Sequence, residues 1–278
     1  MTEAPDRARA RGVVRDAISA LQNLHALLRS PKVGPRAIAA VLPEIHDSLI
    51  PLGDAVENAL RSARERGHGA LAIDELVSSV RQSSSEMAGA VGAAIGRDVD
   101  ARTRLTLEAS VDRLAPGLDA ARGLVDMLAA AEGDTPVSLE VADLIEEALA
   151  PASQRSAVWG AVLTVYVVLP SRQLSPLFVG PRGTIPLIHL AIAAVHAGAK
   201  GRSIVISAEE TDAVVAVLVE ARDAASIEPG ADAIVLRAPV LIPPSFDIMA
   251  LAGQLTGVKV FVDAVRPSAR VEFAKAVA

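Results

Sequence analysis

From Gly12 to about Ala131 apolar residues recur every three or four positions, and after Pro136 that rhythm gives way to β-branched runs of strand length. A chain with this change of texture must build two different layers, first helices whose stripes face one another and then helices packed on a sheet. Val14, Ile18, Leu21, Leu24 and Leu28 predict the first amphipathic helix. Breaks at Ser30 to Pro35, at Gly67 to Ala70 and near Gly96 separate it from three more. The second is expected over Arg36 to Arg66, on the stripe Ile38, Leu42, Ile45, Leu49, Leu52, Val56 and Leu60. The others span about Ile73 to Ile95 and Ala101 to Ala131, and Glu132-Gly133-Asp134 followed by Pro136 stops the last. Helices of this length joined by short breaks suit antiparallel hairpins, so residues 1–135 are expected to form a helical bundle.

Residues 136–278 are expected to form an α/β-sandwich, giving an α+β chain overall. Ser138 to Ala150 has helical spacing, Val162 to Leu169 is an apolar run of strand length, and Pro186 to Ala197 reads as a helix. Ser203 to Ala208 and Ala213 to Ala221 form a hairpin, Phe246 to Leu255 a helix, and Val258 to Ala264 with Ala269 to Ala274 a terminal hairpin. A hydrophobic fraction of 51% beside an aromatic fraction of 2% means that Ala, Val, Leu and Ile fill both cores.

Charge and cysteine content narrow the function classes. A net charge of −6 and a pI near 5.4 provide no footprint for nucleic acid or an anionic membrane surface. The longest weakly charged stretch, Leu174 to Ala199, is interrupted by Pro176, Pro181, Arg182 and Pro186 and does not read as a membrane span. With no cysteine and no apolar leader after Met1, the expected location is a bacterial-type cytoplasm, and thiolate nucleophiles and thiolate metal sites are excluded. No Walker-type loop, nucleophile elbow or metalloprotease motif is present.

The order helix, strand, helix, hairpin, lid-like loop, helix, hairpin over Ser138 to Ala278 resembles the ATPase domain of histidine kinases. Ser138 to Ile145 resembles that family's entry into its first helix. His189-Leu190-Ala191-Ile192-Ala193 resembles the box in which active kinases place two asparagines four residues apart, the second holding magnesium. Here the two places carry His189 and Ala193, and alanine offers a cation no oxygen. Arg222-Asp223-Ala224-Ala225-Ser226-Ile227 resembles the box where an aspartate that reads adenine precedes a glycine-rich turn; Asp223 is present and the glycines are absent. Pro243-Pro244-Ser245-Phe246 stands where the last box has a Gly-x-Gly pair whose amides meet the phosphates. The resemblance therefore implies a kinase scaffold that binds no ATP and needs no cofactor of its own.

In the bundle, Glu44-Ile45-His46-Asp47-Ser48-Leu49-Ile50-Pro51-Leu52-Gly53 resembles the phosphoacceptor box of histidine kinases and of phosphotransferases derived from them. A phosphoacceptor needs an imidazole nitrogen open to attack, with a carboxylate to orient the other nitrogen or take its proton. His46 and Asp47 are the candidate catalytic pair, with His46 beside the apolar stripe, at the bundle rim. Ile50 stands where the family often has a polar residue for dephosphorylation, which argues against phosphatase activity. His25 lacks a following acid, His68 reads as a turn, and His189 and His196 lie seven apart without a third ligand, so no metal site is expected. Trp159 and Tyr166 read as packing residues, and Ser83-Ser84-Ser85 as a polar helix face. The resemblance implies a homodimer whose two hairpins build a four-helix bundle, and a response-regulator receiver or a sensor kinase as partner. The competing function is a scaffold that binds such a partner without phosphotransfer.

Overall fold

A computed structural model describes residues 3–65, 70–130, 135–155, 161–227, 232–238 and 245–275. The chain is α+β, with helices first and a mixed sheet after them. It divides into two compact units, residues 1–66 with 73–125, and residues 67–72 with 126–278.

The first unit is an antiparallel helical bundle of α1 (Glu3–Arg29), α2 (Pro35–Leu49), α3 (Leu52–Glu65) and all but the ends of α4 (Ala70–Ala94) and α5 (Ala101–Ala130). The stripes foreseen for the first two helices are its core. Val14, Ile18, Leu21, Leu24 and Leu28 face Ile38, Leu42, Ile45, Leu49, Leu52, Val56 and Leu60, all of them buried. The single helix expected over Arg36 to Arg66 is instead two, broken at Ile50-Pro51. Pro51 has no amide with which to continue the ladder. Ile50 N–H donates to the His46 carbonyl at 3.3 Å, and the next turn starts with Ala55 N–H on the Pro51 carbonyl at 2.9 Å. Side chains carry the apolar stripe across this break, which is why periodicity conceals it.

Close approaches fix which helices are neighbours. α1 packs along α2 and α3. Gly53 on α3 lies so near α4 that a Cβ there would sit 3.2 Å from Arg81 Cβ. Arg81 also reaches Asp54 and Glu57 at 3.0 and 2.5 Å. Between α4 and α5, Arg113 meets Glu86 at 2.6 Å and Gly117 admits Val80. From α5 back to α1, Arg104 donates to the carbonyls of Leu27, Leu28 and Ser30, satisfying oxygens that the end of α1 would leave unpaired.

The second unit holds β1 (Val137–Leu139), α6 (Val141–Arg155), β2 (Ala161–Val168), β3 (Leu177–Val179), α7 (Pro181–Gly198), β4 (Ser203–Glu210), β5 (Val214–Arg222), β6 (Asp232–Ala238), α8 (Ser245–Thr256), β7 (Lys259–Asp263) and β8 (Ser268–Ala274). Six strands form a sheet in the order β6-β2-β4-β5-β8-β7, and β1 pairs with β3 apart from it. The β2–β4 pair is parallel and the other neighbours are antiparallel. Helix α7 lies on β4, β5 and β8, flanked by α6 and α8, so the helices cover the sheet from one side. Alternating burial along β8 and β7 follows from that single cover.

Three sequence expectations change here. The segment expected to start a helix at Ser138 first makes the short strand β1, and the helix begins at Val141. The helix expected from Pro186 begins at Pro181, which fills a first-turn position where a missing amide costs nothing. The loop expected to resemble a lid contains β6, paired along its length with β2 from Asp232↔Val167 to Ala238↔Ala161. A β-branched run in Ile234 and Val235 suits this edge, whose partner is remote in sequence. Glu132-Gly133-Asp134, His68, Trp159 and Pro243-Pro244 lie outside the described residues.

The α8–β7 junction sets one stability prediction. Gly257 closes α8 with φ +69°, and four residues earlier a Cβ on Gly253 would lie 2.6 Å from Val260 Cγ2 and 2.9 Å from the Val258 carbonyl oxygen. Gly253→Ala therefore pushes helix and strand apart and is expected to destabilise this unit by about 2 kcal/mol or more. Urea denaturation followed by circular dichroism checks it; a midpoint equal to wild type would show that the junction relaxes freely.

Candidate phosphoacceptor site

His46 sits one turn before the Pro51 break, on the rim of the bundle. Its neighbours Ile45 and Leu49 point into the core, which leaves the imidazole 32% exposed. Asp47 is exposed, and its Oδ1 lies 3.8 Å from His46 Nδ1. The two residues singled out from sequence are therefore side by side and reachable. Ile50, one turn further along the same face, is 64% exposed.

The second ring nitrogen has a neighbour that sequence reasoning missed. Gly92 on α4 faces the imidazole so closely that a Cβ there would lie 3.5 Å from His46 Nε2. Nε2 therefore faces the backbone of α4 at Gly92. At 3.8 Å, Asp47 Oδ1 stands just beyond hydrogen-bond range of Nδ1, within reach of a small side-chain rotation. The signal in the sequence was only a glycine inside a helical stretch, which means nothing until the partner helix is known.

His25, expected at the core edge or on the surface, is fully buried on α1, and neither ring nitrogen has a hydrogen-bond partner. Its Nε2 lies 3.4 Å from Asp112 Oδ1 on α5. With Glu108 these form the group of three His and carboxylate ligands that the described residues bring within ion-binding distance. A cation already serves that group, because Arg29 Nε is 2.8 Å from Glu108 Oε1 and Arg29 reaches Asp112 at 3.7 Å.

Burial and then Arg29 hold the His25 imidazole below its ordinary pKa, against the pull of Asp112 and Glu108. The folded state thus favours neutral His25, so its contribution to stability is whole above the unfolded value near 6.5 and is lost as pH falls from there towards the lower folded value. Because a buried imidazole without hydrogen bonds is costly, His25→Leu is expected to stabilise the protein by about 1 kcal/mol at neutral pH. The gain should widen on acidification. Thermal melts of both proteins at pH 7.5 and 5.5 check this, and a lower melting temperature for the variant at both values would contradict it.

In the second unit, the places likened to nucleotide boxes carry His189, Ala193 and Asp223. Ala193 is fully buried on α7, and His189 is half-buried one turn before it. His196, on the last turn of α7, is held below its ordinary pKa by burial. Asp223 is exposed and opens a single 3-10 turn over Ala224–Ser226, its carbonyl accepting Ser226 N–H at 2.8 Å. No positive φ occurs there, so the turn is built without the glycines that an adenine-binding loop uses.

No protein-family model matches the chain, and no curated protein sequence matches it. Among solved structures it is similar to the Acinetobacter baumannii histidine kinase AdeS, at 11% identity and TM-score 0.42, over 73% of this chain and 98% of that one. A histidine kinase from Burkholderia phymatum STM815 is similar at 15% identity and TM-score 0.36, over 73% of this chain and 99% of that one. A bacterial phosphotransferase is similar at 12% identity and TM-score 0.36, over 74% of this chain and 95% of that one.

Proposed function

We propose that this chain is a histidine phosphotransferase of two-component signalling that exchanges a phosphoryl group with a response-regulator receiver and uses no ATP. The observation that carries this is the pair of environments around one part-exposed imidazole, with Asp47 near Nδ1 and Gly92, without a side chain, beside Nε2. In the forward step the Nε2 lone pair attacks the phosphorus of an aspartyl phosphate. The P–O bond to the aspartate breaks, its electron pair returns to that carboxylate, and Nδ1 keeps its proton against Asp47. The reverse step restores the aspartyl phosphate. Magnesium arrives with the receiver, whose acidic site holds it.

The missing nucleotide grip favours this reading over a kinase. Ala193 offers no ligand, and Asp223 faces solvent. ATP with magnesium is therefore expected to leave the melting temperature unchanged, whereas binding at 100 times Kd would add about 2.7 kcal/mol of stability. A clear upward shift would return the chain to the kinases.

Phosphoryl transfer is tested with a panel of receivers phosphorylated by acetyl phosphate and mixed with the full chain. The expected result is an acid-labile, base-stable phosphate that mass spectrometry places on residue 46. A receiver that binds the chain while keeping its label would favour the scaffold reading.

A further inference from the structure

The acceptor box occurs twice in this chain, once whole and once altered. Moving 65 positions from His46-Asp47-Ser48-Leu49-Ile50-Pro51 reaches Val111-Asp112-Arg113-Leu114-Ala115-Pro116 on α5, where aspartate, leucine and proline recur in step and valine replaces the histidine. Asp54-Ala55 is likewise answered by Asp119-Ala120. Burial repeats with it in part: Leu42, Leu49, Val56 and Leu60 match the core residues Leu107, Leu114, Ala121 and Val125, while the buried Ile38, Ile45 and Leu52 meet the part-buried Thr103, Ser110 and Gly117. The helices that precede the two boxes repeat as well. At a spacing of 63, the buried Ala10, Val14, Ala17, Leu24 and Leu28 of α1 match the buried Ile73, Val77, Val80, Met87 and Val91 of α4.

One approach between helices has a neighbour at the corresponding place in the other half. His46 touches Gly92 across the seam from α2 to α4. The places that match them are Val111 and Arg29, across the seam from α5 to α1, and there Arg29 binds Glu108 and Asp112 on either side of Val111. One hairpin, α1 with α2 and α3, lies beside a second, α4 with α5, although α1 packs along its own partners much more closely than α4 packs along α5.

At the second seam, the groups that would serve an acceptor are otherwise engaged. Val111 is fully buried, and Asp112, the counterpart of Asp47, is held by Arg29 and lies against His25. Where the first seam has glycine, the second has an arginine locked into an ion pair. The first seam stays accessible, with His46, exposed Ile50 and the exposed Gly89 and Gly92 side by side.

We propose that the helical unit is a duplicated hairpin folded into a bundle within one chain, with one acceptor box live at His46 and the other retired at Val111. Each chain then offers one receiver-docking face, at the α2–α4 seam, and its bundle needs no hairpin from a second subunit. The docking part rests on the phosphotransfer reading above; the duplication does not.

Because the chain has no cysteine, paired substitutions can report which chain supplies each helix. Gly53→Cys with Arg81→Cys places two Cβ atoms near disulfide range across the α3–α4 seam. A second pair, Arg29→Cys with Glu108→Cys, bridged by a short bismaleimide, reads the α5–α1 seam if the first pair misfolds. After oxidation or bridging at low protein concentration, almost all of the protein should migrate as a single chain on a non-reducing gel, and a phosphorylated receiver should label the bridged protein with Arg29→Cys and Glu108→Cys, both outside the acceptor box, as fully as wild type. Links between chains at either seam would overturn the duplication, even with transfer intact. Links within the chain, with no labelling of linked or wild-type protein, would leave the duplication standing and remove the single docking face along with the phosphotransfer reading.

Discussion

Replacing His46 with alanine should abolish phosphoryl uptake from a phosphorylated receiver, with label on the chain falling to the level of an unreacted control. Neither nearby candidate can take over the role, because His25 is buried and Val111 occupies the matching place in the second hairpin. Removal of an attacking group costs several orders of magnitude, about 10⁶ in well-studied cases. The substitution is mild for folding, since a part-exposed rim position gives way to the best helix former, with an expected change in stability of about 0.5 kcal/mol. A melting temperature close to wild type would therefore assign the loss to chemistry. Asp47→Asn gives the graded companion. It keeps the shape and takes away the charge that steadies the Nδ1 proton, so the transfer rate should drop about 100-fold, the low end for acid–base assistance. Stopped reactions with phosphorylated receiver measure both. Undiminished label on the His46→Ala chain would place the acceptor elsewhere and end the proposed function.

What could be read before the structure follows how far apart the interacting residues lie. Helix stripes such as Ile38, Leu42 and Ile45 are local, and so is the hairpin Ser203–Glu210 with Val214–Arg222; both emerged close to where they were expected. The His46-Asp47 pair is local too, and its rim position follows from the stripe beside it. Residues whose meaning depends on distant partners were opaque. Asp232–Ala238 becomes a strand because β2 stands beside it, and its own surroundings suggest only a loop. Val137–Leu139 pairs with residues 177–179, a pairing that no local propensity announces. The interruption at Pro51 was hidden for the opposite reason, since side-chain burial continues evenly across a break that lies only in the backbone. The second box escaped notice because its histidine, the residue that draws attention to the first, is the one that changed.

Gly92 is where stability and activity should move in opposite directions. A helical glycine without positive φ is less stable than most residues in its place by up to about 1 kcal/mol, less in the last turn of a helix. Gly92 lies in that last turn, exposed, so Gly92→Ala should raise the melting temperature slightly. Its methyl would stand 3.5 Å from Nε2, in van der Waals contact with the nitrogen that must reach phosphorus. Alanine narrows the approach, and Gly92→Leu extends an isobutyl group across it. Displacing reacting atoms by about 1 Å costs on the order of 100-fold, so the leucine variant should transfer at least that much more slowly while melting no lower than wild type. A residue with only a structural role cannot give that combination. Full-rate transfer by Gly92→Leu would mean that phosphorus reaches the ring from the Nδ1 side, and Asp47 would then be an obstacle to the reaction.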